Sequence, residues 1–240
     1  MTGVQTCALP ILFREYPAYA EEAFKVAVEG AYFKQQMSKA RQEGRIGKVT
    51  VDTSRPVHTS WDIGVDDMTA IWFFQSDGVR HRVVDYYEAS GEGLNHYANV
   101  LKARGYQYGD HYGPHDLDNR DWVMPDAQAR VEVARQLGIE FTVVPRVHQK
   151  ADAIEALRNW LGNAWIDEAN CARGIQCLDN YRREWDERLA TWRQRPLHDW
   201  ASHGADALMT GAMGHSPEYR PPARDPYGSS KSRGASAWAV

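Results

Sequence analysis

Three aspartates lie far apart in the chain, each in a setting that aims a carboxylate: Trp61-Asp62-Ile63-Gly64, Pro114-His115-Asp116 and Ser202-His203-Gly204-Ala205-Asp206. Hydrolysing a phosphodiester requires charge neutralisation at phosphorus, a deprotonated water and a stabilised leaving alkoxide. Two hard cations about 3.5 to 4 Å apart, bridged by a carboxylate, supply all three. Mg2+ and Mn2+ prefer oxygen ligands, so aspartate is the fitting donor and cysteine the wrong one. The expectation is a two-ion centre in which Asp62 bridges the metals and Asp116 and Asp206 complete the ligand set.

Other polar residues cluster around these three. Asp67 and Thr69 follow Asp62 closely, as supports for a carboxylate or caps of a turn, and Asp67 is the reserve ligand. Asp199, His203 and Asp206 are spaced i, i+4, i+7 and share one face if the segment is helical. Asp199 reads as the N-cap of that helix. His203 reads either as a group that orients a carboxylate or contacts phosphate, or as a surface histidine. Plain structural roles stand beside the chemical ones: Asp62 as a turn residue bonding its own backbone, and Asp116 as a loop cap beside Asp118 and Asp121. Asp206, flanked by Ala205 and Ala207, is harder to explain as a surface residue. His111 and His115 lie on a strand-like segment with no partner to complete a zinc motif, and no GxxxxGK[ST] sequence occurs.

Alternating and β-branched runs at 57–63, 68–75 and 82–87, with Ser76-Asp77-Gly78 as a turn, predict an antiparallel meander. Leu94, Tyr97, Val100 and Leu101 fall on one helical face, closed by Gly105. A strand over 108–115 then runs into Asp116. Pro125 and Asp126 start a helix with Val131, Val133, Ala134 and Leu137, followed by a strand at 141–144 and a helix at 151–161. Residues 170–192 read as a charged helix, and 197–213 as the helix that carries Asp206. A meander first and crossovers later give an α/β fold: a mixed sheet of three antiparallel strands plus parallel crossover strands, with helices on both faces.

At 240 residues the chain can hold one substantial domain with extensions. A net charge of −4 argues against binding nucleic acid by bulk electrostatics, so any DNA contact is expected to be patchy. Two basic groups are present, Lys34/Lys39/Arg41/Arg45/Lys48 and Arg182/Arg183/Arg188/Arg193/Arg195. The second alternates with Glu184, Asp186 and Glu187 and reads as a self-paired, solvated face. Trp160, Trp165, Trp185 and Trp192 read as packing anchors. Cys7, Cys171 and Cys177 form no CxxC pair, pointing to a reducing compartment without structural zinc. No apolar run reaches the roughly 18 residues of a membrane span, and a signal peptide is not evident; a cytoplasmic location is expected.

Residues 1–11 resemble the in-frame translation of a sequencing adapter and are set aside as an artefact, which implies natural sequence upstream of Leu12. The expected organisation is a helical lead-in and linker at 12–50, a domain at 51–214 and a disordered tail at 215–240 rich in proline, glycine and serine.

Taken in order, these motifs resemble the RNase H-like nuclease domain of the large terminase subunit of tailed bacteriophages and prophages. The resemblance runs from about Tyr16 to Gly214. It rests on the Pro-x-x-x-Glu-Glu-Ala-Phe segment from Pro17 to Phe24, on Trp61-Asp62-Ile63-Gly64 with Asp67 and Thr69, and on Pro114-His115-Asp116. The closing element is Pro196-Leu197-His198-Asp199-Trp200-Ala201-Ser202-His203 running into Ala205-Asp206-Ala207. The resemblance implies a metal-dependent endonuclease that cuts concatemeric double-stranded DNA during viral genome packaging, using Mg2+ or Mn2+ held by Asp62, Asp116 and Asp206. It implies portal protein and a small terminase subunit as partners, and the cytoplasm of an infected or lysogenic bacterium as the place of action. The ATPase half of that family is absent from this sequence. The rival readings are another RNase H-like nuclease, acting on four-way junctions or RNA–DNA hybrids, and a non-catalytic docking module of the packaging motor.

Overall fold

The computed structural model describes residues 30–64, 67–118, 130–147, 149–186, 188–189 and 191–215. Its centre is the strand Met68–Ser76 (β3), whose buried side chains divide strictly by parity. Ala70, Trp72 and Phe74 enter one core, and Ile71 and Phe73 enter the other. A period of two places successive side chains on opposite faces, so a strand apolar at every position must be covered on both sides. The hairpin partners of β3 are Val57–Asp62 (β2) and His81–Ser90 (β4), both antiparallel to it.

Parallel strands extend this meander in both directions. Tyr108–Gly113 (β5) pairs with β2 and Phe141–Val143 (β6) with β5; Ala164–Asp167 (β7) pairs with β4 and Ile46–Gly47 (β1) with β7. The seven-stranded order is β1-β7-β4-β3-β2-β5-β6. Helices cover both faces. Lys34–Gln42 (α1), Lys150–Leu161 (α4), Ala172–Asn180 (α5) and Ser202–Gly214 (α6) supply the core around Trp72 and Phe74. Leu94–Arg104 (α2) and Arg130–Gln136 (α3) cover the side of Trp61, Ile71 and Phe73.

Helix α6 lies directly on the sheet because glycines let it. A Cβ at Gly211 would sit 2.7 Å from Ser60 Cβ on β2, and one at Gly204 would sit 2.7 Å from Cys177 Cβ on α5. Leu208 and Met209, between them, are almost fully buried, worth roughly 1.5–3 kcal/mol each. Gly211→Ala is expected to push α6 off β2 and to cost roughly 1–3 kcal/mol by overpacking. Urea unfolding of the variant measures this; an unchanged midpoint would show that the helix does not rest on the strand so closely.

Several sequence expectations are corrected. Residues 170–192 are not one helix: after α5, Arg183–Asp186 (β8) and Thr191–Pro196 (β9) form an antiparallel hairpin. Trp185 pairs with Trp192 across it in an edge-on contact, rings 5.0 Å apart. The charges do pair with one another, Arg193 and Arg195 with Glu184 and Arg193 with Asp186, but across strands rather than along a helix. The strand expected over 108–115 stops at Gly113 and passes into a 3-10 turn, His115–Asp118. Residues 30–50, expected in a lead-in outside the domain, contribute β1 and the buried Phe33 and Met37 to it. The adapter-like segment at 1–11, the Pro17–Phe24 motif, the helix start at Pro125–Asp126 and residues 216–240 of the expected tail lie outside the described residues.

Buried histidines make the fold acid-sensitive. Burial holds His81, His111 and His215 down at about 4. The hydrogen bonds are compatible with this for His111: the indole of Trp61 donates to Thr59 Oγ1 (2.6 Å), and the Thr59 hydroxyl is free to donate to an unprotonated His111 Nδ1 at 2.6 Å. Unfolded histidine titrates near 6.5. Between the two values the unfolded chain binds more protons, so this stability is complete above about pH 6.5 and drains away as pH falls toward 4. Each histidine contributes at most roughly 3 kcal/mol. Thermal melts from pH 8 to pH 4.5 are expected to fall mainly below pH 6.5; melts flat over that range would contradict the neutral assignment.

Candidate metal centre

The strands β2, β5 and β6 run parallel to one another, and their carboxyl ends open onto one cleft of about 350 Å3. Crevices outside the carboxyl ends of parallel strands are where open α/β sheets place ligands. Asp62 is the last residue of β2, Asp116 lies in the 3-10 turn just after β5, and Arg146 follows β6. On β2 the parity that sends Trp61 into the far core turns Ser60 and Asp62 toward α6. From that helix Asp206 closes the cleft, and from the first residue of α4 comes Lys150. The three aspartates singled out by sequence therefore line one cavity together with His115, Arg146 and Lys150.

Electrostatics inside the cleft are set by crowded acids. Burial raises the Asp62 carboxyl above the usual carboxylate range and the charge of Asp206 adds to this, against a lowering hydrogen bond from His203. His203 Nδ1 lies 3.1 Å from Asp62 Oδ2, and that bond holds the imidazole above its ordinary value. Lys150 Nζ is 2.9 Å from Asp206 Oδ1. The contact is off hydrogen-bond geometry, so this solvent-shielded oxygen is charge-paired yet accepts no hydrogen bond. Next to it stands the buried Tyr181 hydroxyl, which burial and the neighbouring Asp206 carboxylate hold above the ordinary tyrosine range.

The neighbouring residues divide. His203, the second residue of α6, touches Asp62 on one side and, through Nε2, Asp67 Oδ2 at 3.3 Å on the other. Asp67 thus stands behind the cleft rather than in it. Thr69 does neither: it shares the parity of Ile71 and Phe73 and is buried on the opposite face of the sheet, beside Tyr97. Asp199 precedes α6 instead of joining its face; it accepts the Ala201 N–H at 2.9 Å and pairs with Arg182 at 3.4 Å. Sequence reasoning passed over Lys150, Arg146, His198 and Tyr181. Lys150 had a signal, a cation at the start of a helix where acids are the usual choice.

An all-oxygen donor set fits a hard divalent cation. The oxygens of Asp62, Asp116 and Asp206 share the cavity without all three meeting at one point. Among the described residues, the trio of metal-binding types with donor atoms all within 4.8 Å of one another is Asp67, His198 and His203. No described helix is long and apolar enough to cross a membrane.

No protein-family model and no curated protein matches the sequence. Solved structures do match its fold. The large terminase of a thermophilic bacteriophage superposes with a TM-score of 0.52 at 16% identity, over 71% of this chain and 42% of that one. The large terminase nuclease of thermophilic phage G20c, with bound cobalt, gives 0.51 at 16% identity over 76% of this chain and 96% of that one. The P22 large terminase nuclease domain gives 0.52 at 14% identity over 71% and 88%. The chain thus spans under half of the first of these proteins but nearly all of the isolated nuclease domains. Its α/β sheet, mixed in strand direction and covered on both faces, has the RNase H-like fold of the large terminase nuclease domains.

Proposed function

We propose that this chain is a divalent-metal-dependent endonuclease that cuts double-stranded DNA in viral genome packaging, as the nuclease part of a large terminase. The observation that carries the reading is that Asp62, Asp116 and Asp206, from two strand ends and a helix 144 residues beyond the first, line one cleft. The fold likeness supports it, and the cobalt bound to the G20c nuclease supports a divalent cation.

Asp62, Asp116 and Asp206 would hold Mg2+ or Mn2+, two ions in the full site. Such ions, when bound, neutralise the phosphate and lower the pKa of the attacking water. The chain's own contribution is positional. His203 fixes the Asp62 carboxylate by its 3.1 Å bond. Lys150 pairs with Asp206 at 2.9 Å and is a cation that can pass from that carboxylate to a phosphate oxygen once Asp206 engages a metal. Arg146 and His115 at the rim offer further local contacts to a phosphate backbone, consistent with a net acidic chain that must bind DNA by a patch. The portal protein and small terminase subunit are the partners of this reading, and the bacterial cytoplasm its place.

Incubation of the purified chain with supercoiled plasmid tests the proposal. Mg2+ or Mn2+ should convert plasmid to nicked and linear forms, and EDTA should stop the conversion. Linear duplex should compete better than a four-way junction or an RNA–DNA hybrid. Preferential cleavage of either competitor would move the chain to a different RNase H-like activity.

A further inference from the structure

We propose that Asp67, His198 and His203 form a second metal site, distinct from the aspartate cleft, that takes a borderline transition-metal ion such as Zn2+ or Co2+. The three residues come from separate elements: Asp67 precedes β3, His198 follows β9 and His203 opens α6. Their donor atoms nevertheless lie within 4.8 Å of one another. A tetrahedral ion with bonds of about 2.0–2.1 Å separates its ligand atoms by roughly 3.3 Å. His203 Nε2 and Asp67 Oδ2 already stand 3.3 Å apart, and His198 Nε2 is 3.9 Å from the same oxygen. Closing the set needs only a small rotation of His198, whose side chain is 76% exposed and free to make it.

The remaining atoms of each residue are committed in the way ligands require. Asp67 Oδ1 accepts the Met68 N–H at 2.8 Å, leaving Oδ2 for the site. His203 Nδ1 faces Asp62 Oδ2, so the proton belongs on Nδ1 and the Nε2 lone pair points to Asp67 and His198. A histidine that donates one ring N–H to a carboxylate and coordinates through the other nitrogen is the usual support of a bound transition metal. The rings of His198 and His203 meet edge-on, 5.5 Å apart at 71°, rather than stacked, which lets both lone pairs converge. Two imidazoles and one carboxylate suit Zn2+ or Co2+ and suit Mg2+ poorly, since Mg2+ demands oxygen ligands in an octahedron. The two sites thus differ in donor chemistry, and they are linked through the Asp62–His203 bond.

Titration of the whole chain with Co2+ or Zn2+ in excess Mg2+ tests this without reference to cleavage. Visible Co2+ absorption and calorimetry with Zn2+ should both report a bound ion beyond any held in the cleft, one that is lost in His198→Ala. His198→Ala and Asp67→Ala, both at exposed positions, should weaken that ion by tenfold or more, and Asp62→Asn by much less, since its amide oxygen can still accept the His203 N–H. Asp206→Asn should leave it in place. Equal affinity in wild type, H198A and D67A would overturn the proposal, as would no bound ion at all; the latter would leave His203 as an imidazolium bridging two carboxylates. Neither result would bear on the nuclease reading, which stands or falls on plasmid cleavage.

Discussion

Asp206→Asn and Asp62→Asn are each expected to abolish metal-dependent plasmid nicking while leaving the protein folded and no less stable. A metal at a transferring phosphate is worth several kilocalories per mole of charge stabilisation, so losing it corresponds to a rate loss on the order of a thousandfold. The stability side follows from the crowding of charge. Burial and the charge of Asp206 already disfavour the ionised form of Asp62, so a neutral amide of the same shape relieves a cost. The amide oxygen introduced by Asp62→Asn can still accept the His203 bond, and Lys150, released from Asp206, is 42% exposed and can turn to water. Initial nicking rates in Mg2+ and in Mn2+, beside melting curves, measure both. Cleavage undiminished in the two variants would remove the assignment; cleavage lost together with the melting transition would mean that the carboxylates serve the fold.

The second large effect is on stability. Trp72 is fully buried on β3, packs against Tyr86 at 4.6 Å between ring centres, and donates its indole N–H to the Gly204 carbonyl at 2.7 Å. It also fills the space next to Gly174, where a Cβ would lie 2.4 Å from its ring. Trp72→Ala removes this packing, leaves a cavity between the sheet and helices α5 and α6, and removes the indole bond to the Gly204 carbonyl. The cost should be about 3–5 kcal/mol, or roughly 10 °C or more in Tm for a domain of this size. Trp72→Phe should keep most of the packing and lose the hydrogen bond, for about 1–3 kcal/mol. Denaturant curves of the pair separate the two contributions. Equal losses would mean that the bond to Gly204, rather than the ring, ties α6 to the sheet.

Much of the fold was legible because its signals are local. The meander shows in the alternation and apolar density of 57–90, and α2 in the spacing of Leu94, Tyr97 and Leu101 before Gly105. Two kinds of element were not. β1 and β7 are two and four residues long and exist because neighbouring strands recruit them, which no window of sequence that short can announce. The β8–β9 hairpin carries charges whose spacing suits a helix as well as a ladder, and the pairing of Trp185 with Trp192 settles the matter only once the strands meet.

The site divides in the same manner. Asp62 and Asp206 are marked by their settings, a strand running into Gly64 and an apolar turn of helix. Thr69 was misjudged because nearness in sequence to Asp62 says nothing about which face of a sheet a residue occupies, and parity puts it on the other side. Asp199, read as the N-cap of a helix over 197–213, lies just ahead of a helix that begins at Ser202, and accepts the Ala201 N–H there. Lys150 and His198 have no neighbour in sequence to give them away; only the packing of α4 and α6 and the position of the loop after β9 bring them to the acids.

The glycine-lined seat of α6 on β2 also sets an order of events during synthesis. The strand bearing Asp62 leaves the ribosome some 140 residues before the helix bearing Asp206, which at bacterial rates of about 5–20 residues per second is a delay on the order of ten seconds. From the emergence of Asp116 onward the nascent chain holds two of its three acids without the one that closes the cleft. It also lacks the indole-to-carbonyl tie at Gly204 that seats the closing helix. The cleft is thus incomplete while the chain is being made and closes in one step, when the last described helix docks.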